Sequence, residues 1–140
     1  MSYLLDTNVV SETAKPRPDP GVLAWLAHHW VEEAYLSALT LGELVQGLAR
    51  APEGKRPLLE AWLEGIKTRF RERILPLDEG VMETWGLLTG TAFLQGRPLS
   101  PLDAMLAATA LRHGLVLVTR NAAPFQGLPV RVLNPWREAQ

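Results

Sequence analysis

Three acidic residues and one amide occupy places where the predicted strands and helices of this chain meet. Asp6 ends a short apolar run, Glu43 and Asp103 stand near the starts of predicted helices, and Asn121 follows an apolar strand. Carboxylates gathered in one crevice repel one another unless a cation neutralises them. These side chains therefore predict a divalent-metal site, provided that the fold brings them together.

The available donor atoms indicate a hard metal ion. The chain has no cysteine, and the adjacent His28 and His29 would diverge by roughly 100 degrees on a helix and chelate poorly. An all-oxygen set selects Mg2+ or Mn2+, which keeps several waters and also binds substrate phosphate. Such an ion can orient and acidify a water for attack on phosphorus and stabilise the departing oxygen. The residues therefore favour hydrolysis of a phosphodiester.

Each acid also has an ordinary structural explanation. Glu43 lies three residues after Thr40, and Asp103 lies three residues after Ser100, which is the spacing of a helix capping box. Asp6 can likewise cap a helix that follows it. Capping accounts for each acid taken singly, but it does not require all three to lie at one edge of a sheet.

Short apolar runs alternate with helical patterns along the whole chain. The runs predict strands at 3–5, 34–37, 74–77, 115–118 and 130–133. Caps and helical spacing predict helices at about 9–14, 19–30, 40–50, 58–70, from 78 past 92, and 100–113. Pro76 places the third strand at a sheet edge or strand end. This alternation predicts one α/β domain over residues 1–140, with a mostly parallel central sheet flanked by helices. Parallel strands deliver their last residues to one crevice, where Asp6 and its partners would meet.

Composition limits the possible classes of protein. Of the 140 residues, 47% are hydrophobic and 21% are charged, which suits one globular domain with a substantial core. No apolar stretch approaches the roughly 18 to 20 residues of a membrane span, and the N-terminus lacks the pattern of a signal peptide. We therefore expect a cytoplasmic protein without a membrane partner.

Charge excludes a globally basic nucleic-acid binder, because the formal net charge is -1. Any polyanion must therefore be bound by a local patch. The cations between 50 and 73 are either a solvated face or a path for phosphates. They are Arg50, Lys55, Arg56, Lys67, Arg69, Arg71 and Arg73.

Several motifs, taken together, resemble the PIN-domain family and especially its VapC and FitB type of bacterial toxin. The likeness covers essentially the whole chain. The motifs are Leu5-Asp6-Thr7-Asn8, Ser37-x-x-Thr40-x-x-Glu43 with Gly47 shortly after, Asp103 in an alanine-rich helix, Leu117-Val118-Thr119-Arg120-Asn121, and the closing Asn134-Pro135-Trp136.

The resemblance implies a three-layer PIN-like fold and an endoribonuclease that depends on Mg2+ or Mn2+. It further implies a homodimer, and inhibition by an antitoxin whose C-terminal segment enters the acidic cleft. By position, Asp6, Glu43 and Asp103 match the metal-binding acids of the family. Asn8 matches the residue that orients the first acid, and Thr119 matches a hydroxyl at the rim of the site.

The chain departs from the family pattern after its fourth strand. A fourth acid is frequent there, yet this sequence has Asn121, and Pro124 replaces an aspartate often found three residues later. A neutral amide is a poorer ligand than a carboxylate and adds no negative charge. We therefore expect one resident metal ion, with a second recruited only by the scissile phosphate.

Two other classes of protein share some of these features. A HAD-like phosphatase also has an aspartate after its first strand, but a second aspartate would be expected where Asn8 stands. A catalytically silent PIN fold that serves as a binding partner is the other alternative, because the fourth acid is missing. Metal binding and RNA cleavage separate these alternatives from a ribonuclease.

Overall fold

A five-stranded parallel sheet forms the centre of the molecule. The computed structural model describes residues 1–30 and 33–136. Its strands are β1 (Tyr3–Leu5), β2 (Ala34–Ser37), β3 (Ile74–Leu75), β4 (Val116–Val118) and β5 (Val132–Leu133). They lie in the order β3-β2-β1-β4-β5, and every pairing between neighbours in this order is parallel. The expected parallel sheet is confirmed, and β3 with its following Pro76 lies at an edge.

Six α-helices surround the sheet in the described part of the chain. They are α1 (Thr7–Glu12), α2 (Pro20–His29), α3 (Ala38–Arg50), α4 (Arg56–Arg69), α5 (Glu79–Leu94) and α6 (Pro101–His113). A short 3-10 turn at Ala123–Phe125 was not predicted, because three residues are too few to show a periodic pattern. Among the described residues, no helix has the length and apolar character needed to cross a membrane.

Two hydrophobic clusters cover the two faces of the sheet. Successive side chains of a strand point to opposite faces, so Tyr3 and Leu5 join one cluster while Leu4 joins the other. The first cluster packs β1 against residues of α1 to α4, and the second packs it against α6 and the 3-10 turn. The molecule is therefore the expected three-layer α/β fold with β1 at its centre.

Helix starts are fixed by the caps that the sequence predicts. Asp19 accepts a hydrogen bond from the backbone N–H of Val22 at 3.1 Å, and Asp78 accepts one from Val81 at 3.0 Å. Ser100 accepts one from Asp103 at 3.1 Å. These bonds satisfy donors that would otherwise lack a partner in the first turn. Asp78 is thus confirmed as a cap.

The predicted start of α3 at a Thr40–Glu43 capping box is wrong. The helix begins at Ala38, and the hydroxyl of Ser37 caps it by accepting from the N–H of Leu39 at 3.0 Å. Ser37 is both the last residue of β2 and the cap, so strand and helix join without a linker. Thr40 lies inside the first turn, fully buried, and its hydroxyl has no hydrogen-bond partner among the described residues. Glu43 therefore stands in the second turn of α3 and is not part of the helix cap.

This correction predicts opposite effects for two hydroxyl deletions. Ser37→Ala should lower the free energy of unfolding by about 1 kcal/mol, because it removes a helix cap. Thr40→Val should leave this free energy unchanged or raise it, because it removes a buried hydroxyl without a partner. Urea denaturation of both variants measures the difference. A larger loss for Thr40→Val than for Ser37→Ala would show that Thr40 is the cap after all.

Candidate active site

The predicted site residues lie at the carboxyl edge of the three central strands. Asp6 follows β1 directly and caps α1, accepting a hydrogen bond from the N–H of Thr7 at 2.7 Å. Glu43 lies in α3, which follows β2, and Thr119 follows β4 directly. Asp103 lies in the first turn of α6, the helix that precedes β4. Since β1 lies between β2 and β4, these side chains approach Asp6 from both sides.

Asp6 is electrostatically coupled to the other two acids. Burial raises the pKa of the Asp6 carboxyl above its usual range, and the nearby charges of Glu43 and Asp103 raise it further. Hydrogen bonds from the Thr119 hydroxyl and the Thr7 N–H oppose this rise without cancelling it. The negative charge of Asp6 is therefore unfavourable in the folded protein, and the three acids that the sequence singles out lie within electrostatic range.

A hydroxyl and an amide hold one oxygen of Asp6. The hydroxyl of Thr119 donates to Asp6 Oδ2 at 2.8 Å. The amide nitrogen of Asn8 lies 3.4 Å from the same oxygen and 3.2 Å from Thr119 Oγ1. Thr119 Oγ1 also accepts from the backbone N–H of Asn121 at 3.1 Å. Two of the three predicted supporting residues, Asn8 and Thr119, thus reach the first acid.

Asn121 reaches this cluster through its main chain. Its backbone N–H makes the bond to Thr119, while the residue itself is exposed. A role of the Asn121 side chain at a metal remains a prediction.

Thr7 is a site residue that sequence reasoning missed. Its hydroxyl donates to Glu43 Oε1 at 2.6 Å, across 36 residues of sequence. The available signal was the run of three polar residues after a buried strand, which indicated only a turn or cap. Thr7 and Thr119 therefore have the same role: each hydroxyl orients one carboxylate without adding positive charge.

The donor set fits a hard divalent cation. Asp103 accepts no hydrogen bond through its carboxylate within the described residues, so its oxygens are available. Across residues 1–30 and 33–136, no group of three His, Cys, Asp or Glu side chains is arranged so that it could hold a metal ion by itself. An open set of a few carboxylates suits Mg2+ or Mn2+, because these ions complete their coordination with water and substrate oxygens. Binding of such an ion by Asp6, Glu43 and Asp103 therefore remains a prediction.

Glu43 also borders a cavity of about 220 Å3 between α1, α3 and α4. The walls of this cavity are largely apolar and include Leu44, Leu48, Leu59 and Trp62. Glu43 therefore connects the candidate site to an apolar groove.

Two of the seven cations between 50 and 73 donate hydrogen bonds to backbone carbonyl groups. Arg56 donates to the carbonyl oxygens of Ala49 and Ala51, both at 3.2 Å. Arg73 donates to the carbonyl oxygens of Trp30, Ala34 and Arg69. Both guanidinium groups are engaged by backbone carbonyl groups of this chain. This argues against a path for phosphates at Arg56 and Arg73.

Comparison with known proteins agrees with this geometry. A PIN-domain family model matches residues 3–128. VapC ribonuclease Y4jK of Sinorhizobium fredii is 39% identical, with 97% of this chain and 99% of the relative covered. Toxin FitB of Neisseria gonorrhoeae is also 39% identical, with 96% of this chain and 99% of the relative covered.

Solved structures have the same fold. The crystal structure of FitAcB from Neisseria gonorrhoeae contains a chain with a TM-score of 0.91 and 39% identity, covering 96% of this chain and 99% of that one. A toxin–antitoxin complex from Klebsiella pneumoniae gives 0.73 and 26%, covering 96% and 98%. The family match, these relatives and the shared fold lead to one conclusion: the chain belongs to the PIN-domain family and to its VapC and FitB group.

Proposed function

We propose that this protein is a metal-dependent endoribonuclease and the toxin of a bacterial toxin–antitoxin pair. The observation that carries the proposal is the approach of Glu43 and Asp103 to Asp6 at the carboxyl edge of the sheet, where burial and, to a smaller extent, these two carboxylates raise the pKa of Asp6. Membership of the PIN-domain family supports it, as do relatives named VapC ribonuclease and Toxin FitB. The HAD-like alternative finds no support, because Asn8 stands where its second aspartate would be needed.

In this proposal the three acids hold one Mg2+ or Mn2+ ion, in keeping with the general use of divalent ions by PIN-domain nucleases. A bound divalent ion would supply an acidified water and offset the negative charge that builds up on phosphate oxygens. The chain's own residues prepare the site. Thr119 and the Thr7 N–H keep Asp6 oriented, and the Thr7 hydroxyl keeps Glu43 oriented. Because these donors are neutral, the full negative charge of the acids remains available to a cation.

We further propose that the protein acts in the cytoplasm, where an RNA substrate and an antitoxin partner would both be found. The apolar cavity beside Glu43 suits a protein segment with apolar side chains. A basic residue on that segment would meet the Glu43 carboxylate, which borders the cavity. We therefore propose that the antitoxin's C-terminal segment enters the acidic cleft from this groove and blocks RNA access.

The first prediction is that each carboxylate is required for cleavage. Asp103→Asn and Glu43→Gln should abolish Mn2+-dependent RNA cleavage, because each removes a charged ligand. Both variants should stay folded: the Asp103 carboxylate accepts no hydrogen bond from residues 1–30 or 33–136, and the new amide oxygen of Glu43→Gln can still accept from Thr7. Asp6→Asn should also be inactive, but less stable than the other two, because its amide cannot keep all the bonds of Asp6.

Cleavage assays and thermal melts on all three variants check this prediction. Glu60→Gln, which changes an exposed acid on α4, is the matched control and should keep full activity. Full activity of Asp103→Asn would contradict the assignment. A wild-type protein that neither binds Mn2+ nor cleaves RNA would instead support a catalytically silent PIN fold.

The second prediction concerns pH in the absence of metal. The folded-state pKa of Asp6 is raised above its ordinary value of 3.8, so the folded protein holds this proton more tightly than the unfolded chain. Asp6 therefore destabilises the fold at neutral pH, and this penalty disappears as the pH falls through its folded pKa toward 3.8. Asp103→Asn removes one charge that contributes to the penalty. Its melting temperature in EDTA should exceed that of the wild type at pH 7, and the excess should shrink as the pH is lowered. A constant difference across that range would mean that the two groups are not coupled.

The third prediction is a homodimer built on the outer face of α5. Leu87 and Leu94 lie two turns apart on this helix and are 74% and 85% exposed, and the neighbouring Phe93 is 75% exposed. Several large apolar side chains exposed on one helix are typical of a protein interface. Light scattering at micromolar concentration should give the mass of a dimer for the wild type and of a monomer for Leu94→Glu. The control Leu58→Glu, which changes a leucine of α4 that is 78% exposed, should stay dimeric. A wild-type monomer throughout this range would refute the dimer.

A further inference from the structure

The closing motif Asn134-Pro135-Trp136 contacts the tip of β4 through one side chain. The amide nitrogen of Asn134 donates to the carbonyl oxygen of Arg120 at 3.2 Å. The amide oxygen of Asn134 accepts from the backbone N–H of Trp136 at 2.9 Å. Both ends of this amide are therefore engaged, which fixes its orientation.

Arg120 passes this contact on to the active site. Its backbone N–H donates to the amide oxygen of Asn8 at 3.3 Å. The nitrogen of the same Asn8 amide faces Asp6 Oδ2 and Thr119 Oγ1. A continuous chain of hydrogen bonds thus runs from Trp136 through Asn134, Arg120 and Asn8 to Asp6; we call it the C-terminal relay.

The outer end of the C-terminal relay is anchored in the core. Trp136 is 2% exposed and belongs to the cluster that contains Leu5 and Val118. The Arg120 guanidinium lies 5.3 Å from the centre of the Trp136 ring, within cation–π range. The N–H of Thr119 also donates to the carbonyl oxygen of Leu133 at 3.0 Å. The end of β5 and the tip of β4 are therefore held as one unit.

The C-terminal relay selects one orientation of the Asn8 amide. An asparagine side chain can present either its oxygen or its nitrogen to a neighbour, and an oxygen facing the Asp6 carboxylate would be repelled. A backbone N–H can only donate. The Arg120 N–H therefore bonds to the Asn8 amide only when the amide oxygen faces Arg120, and the amide nitrogen then faces Asp6. The position of that N–H depends on the backbone of Arg120, which Asn134 holds through the adjacent carbonyl group.

We infer that Asn134 is a positioning residue of the active site, acting through Arg120 and Asn8 on the carboxylate of Asp6. This inference rests on the proposed function for its catalytic consequence. Groups that orient a metal-binding residue typically change metal affinity or activity by about 10- to 100-fold when they are removed. A residue that only closes the C-terminal loop would change stability without changing metal affinity.

Two substitutions and one control separate these roles. Asn134→Asp keeps an oxygen for the Trp136 N–H but removes the donor to Arg120, whereas Asn134→Ala removes both bonds. Val132→Ala in β5 is the control, because it removes packing against the second cluster without touching the C-terminal relay. Nuclear magnetic resonance of 15N-labelled, metal-free protein reports hydrogen exchange at the Arg120 N–H and the chemical shifts of the Asn8 side-chain amide. Thermal shift against Mn2+ concentration reports metal affinity without requiring cleavage.

Both Asn134 variants should accelerate exchange of the Arg120 N–H, shift the Asn8 amide signals, and raise the Mn2+ concentration for half of the thermal shift by about tenfold or more. Val132→Ala should lower the melting temperature and leave these three readouts unchanged. The inference is overturned if the Asn8 signals and the Mn2+ midpoint of the Asn134 variants match the wild type, or if Val132→Ala changes them equally. A wild-type protein that binds Mn2+ but cleaves no RNA would refute the proposed function alone, since the exchange and thermal-shift readouts would still decide the role of Asn134.

Discussion

Negative charge without a compensating cation is the constraint on which the site depends. Asp6 is half-buried beside two further carboxylates, and its raised pKa reflects the cost. In the described part of the chain, no Lys or Arg side chain forms a salt bridge with any of the three acids. Two threonine hydroxyls and a backbone N–H orient the carboxylates instead. Leaving these carboxylates without an ion pair lowers the stability of the fold but keeps its attraction for an external cation. An internal ion pair would neutralise the same charges and remove that attraction.

The fold predicted from the sequence was largely right where local signals were strong. The apolar runs predict the strands to within a few residues. Asp19-Pro20 and Ser100-Pro101 predict the starts of α2 and α6, because a cap or a proline acts on the residues next to it. The start of α3 was wrong because one residue, Ser37, serves both as the end of a strand and as a helix cap. No rule of spacing distinguishes its hydroxyl from that of Thr40.

The site was harder to predict, because its contacts depend on the order of the strands. Asp6 and Thr119 meet only because β1 lies beside β4, which the sequence pattern does not specify. The bond from Thr7 to Glu43 joins two elements for the same reason. The positions of the three acids in the sequence pattern singled them out, and family resemblance added Asn8 and Thr119. Neither indicated that Thr7 contacts Glu43 or that Asn121 contributes its main chain.

The pairing of β1 with β4 has a consequence for protein synthesis. Tyr3 aligns with Val116, and the hydroxyl that holds Asp6 lies 113 residues further along the chain. Contacts between such distant segments form late, because the loop between them must first be closed. A ribosome that is still translating this chain therefore carries an N-terminal segment with Asp6 but no assembled nuclease. The order of the strands thus delays assembly of the site until β4 and Thr119 have emerged, because the partner strand of β1 and the hydroxyl that holds Asp6 are both absent before then.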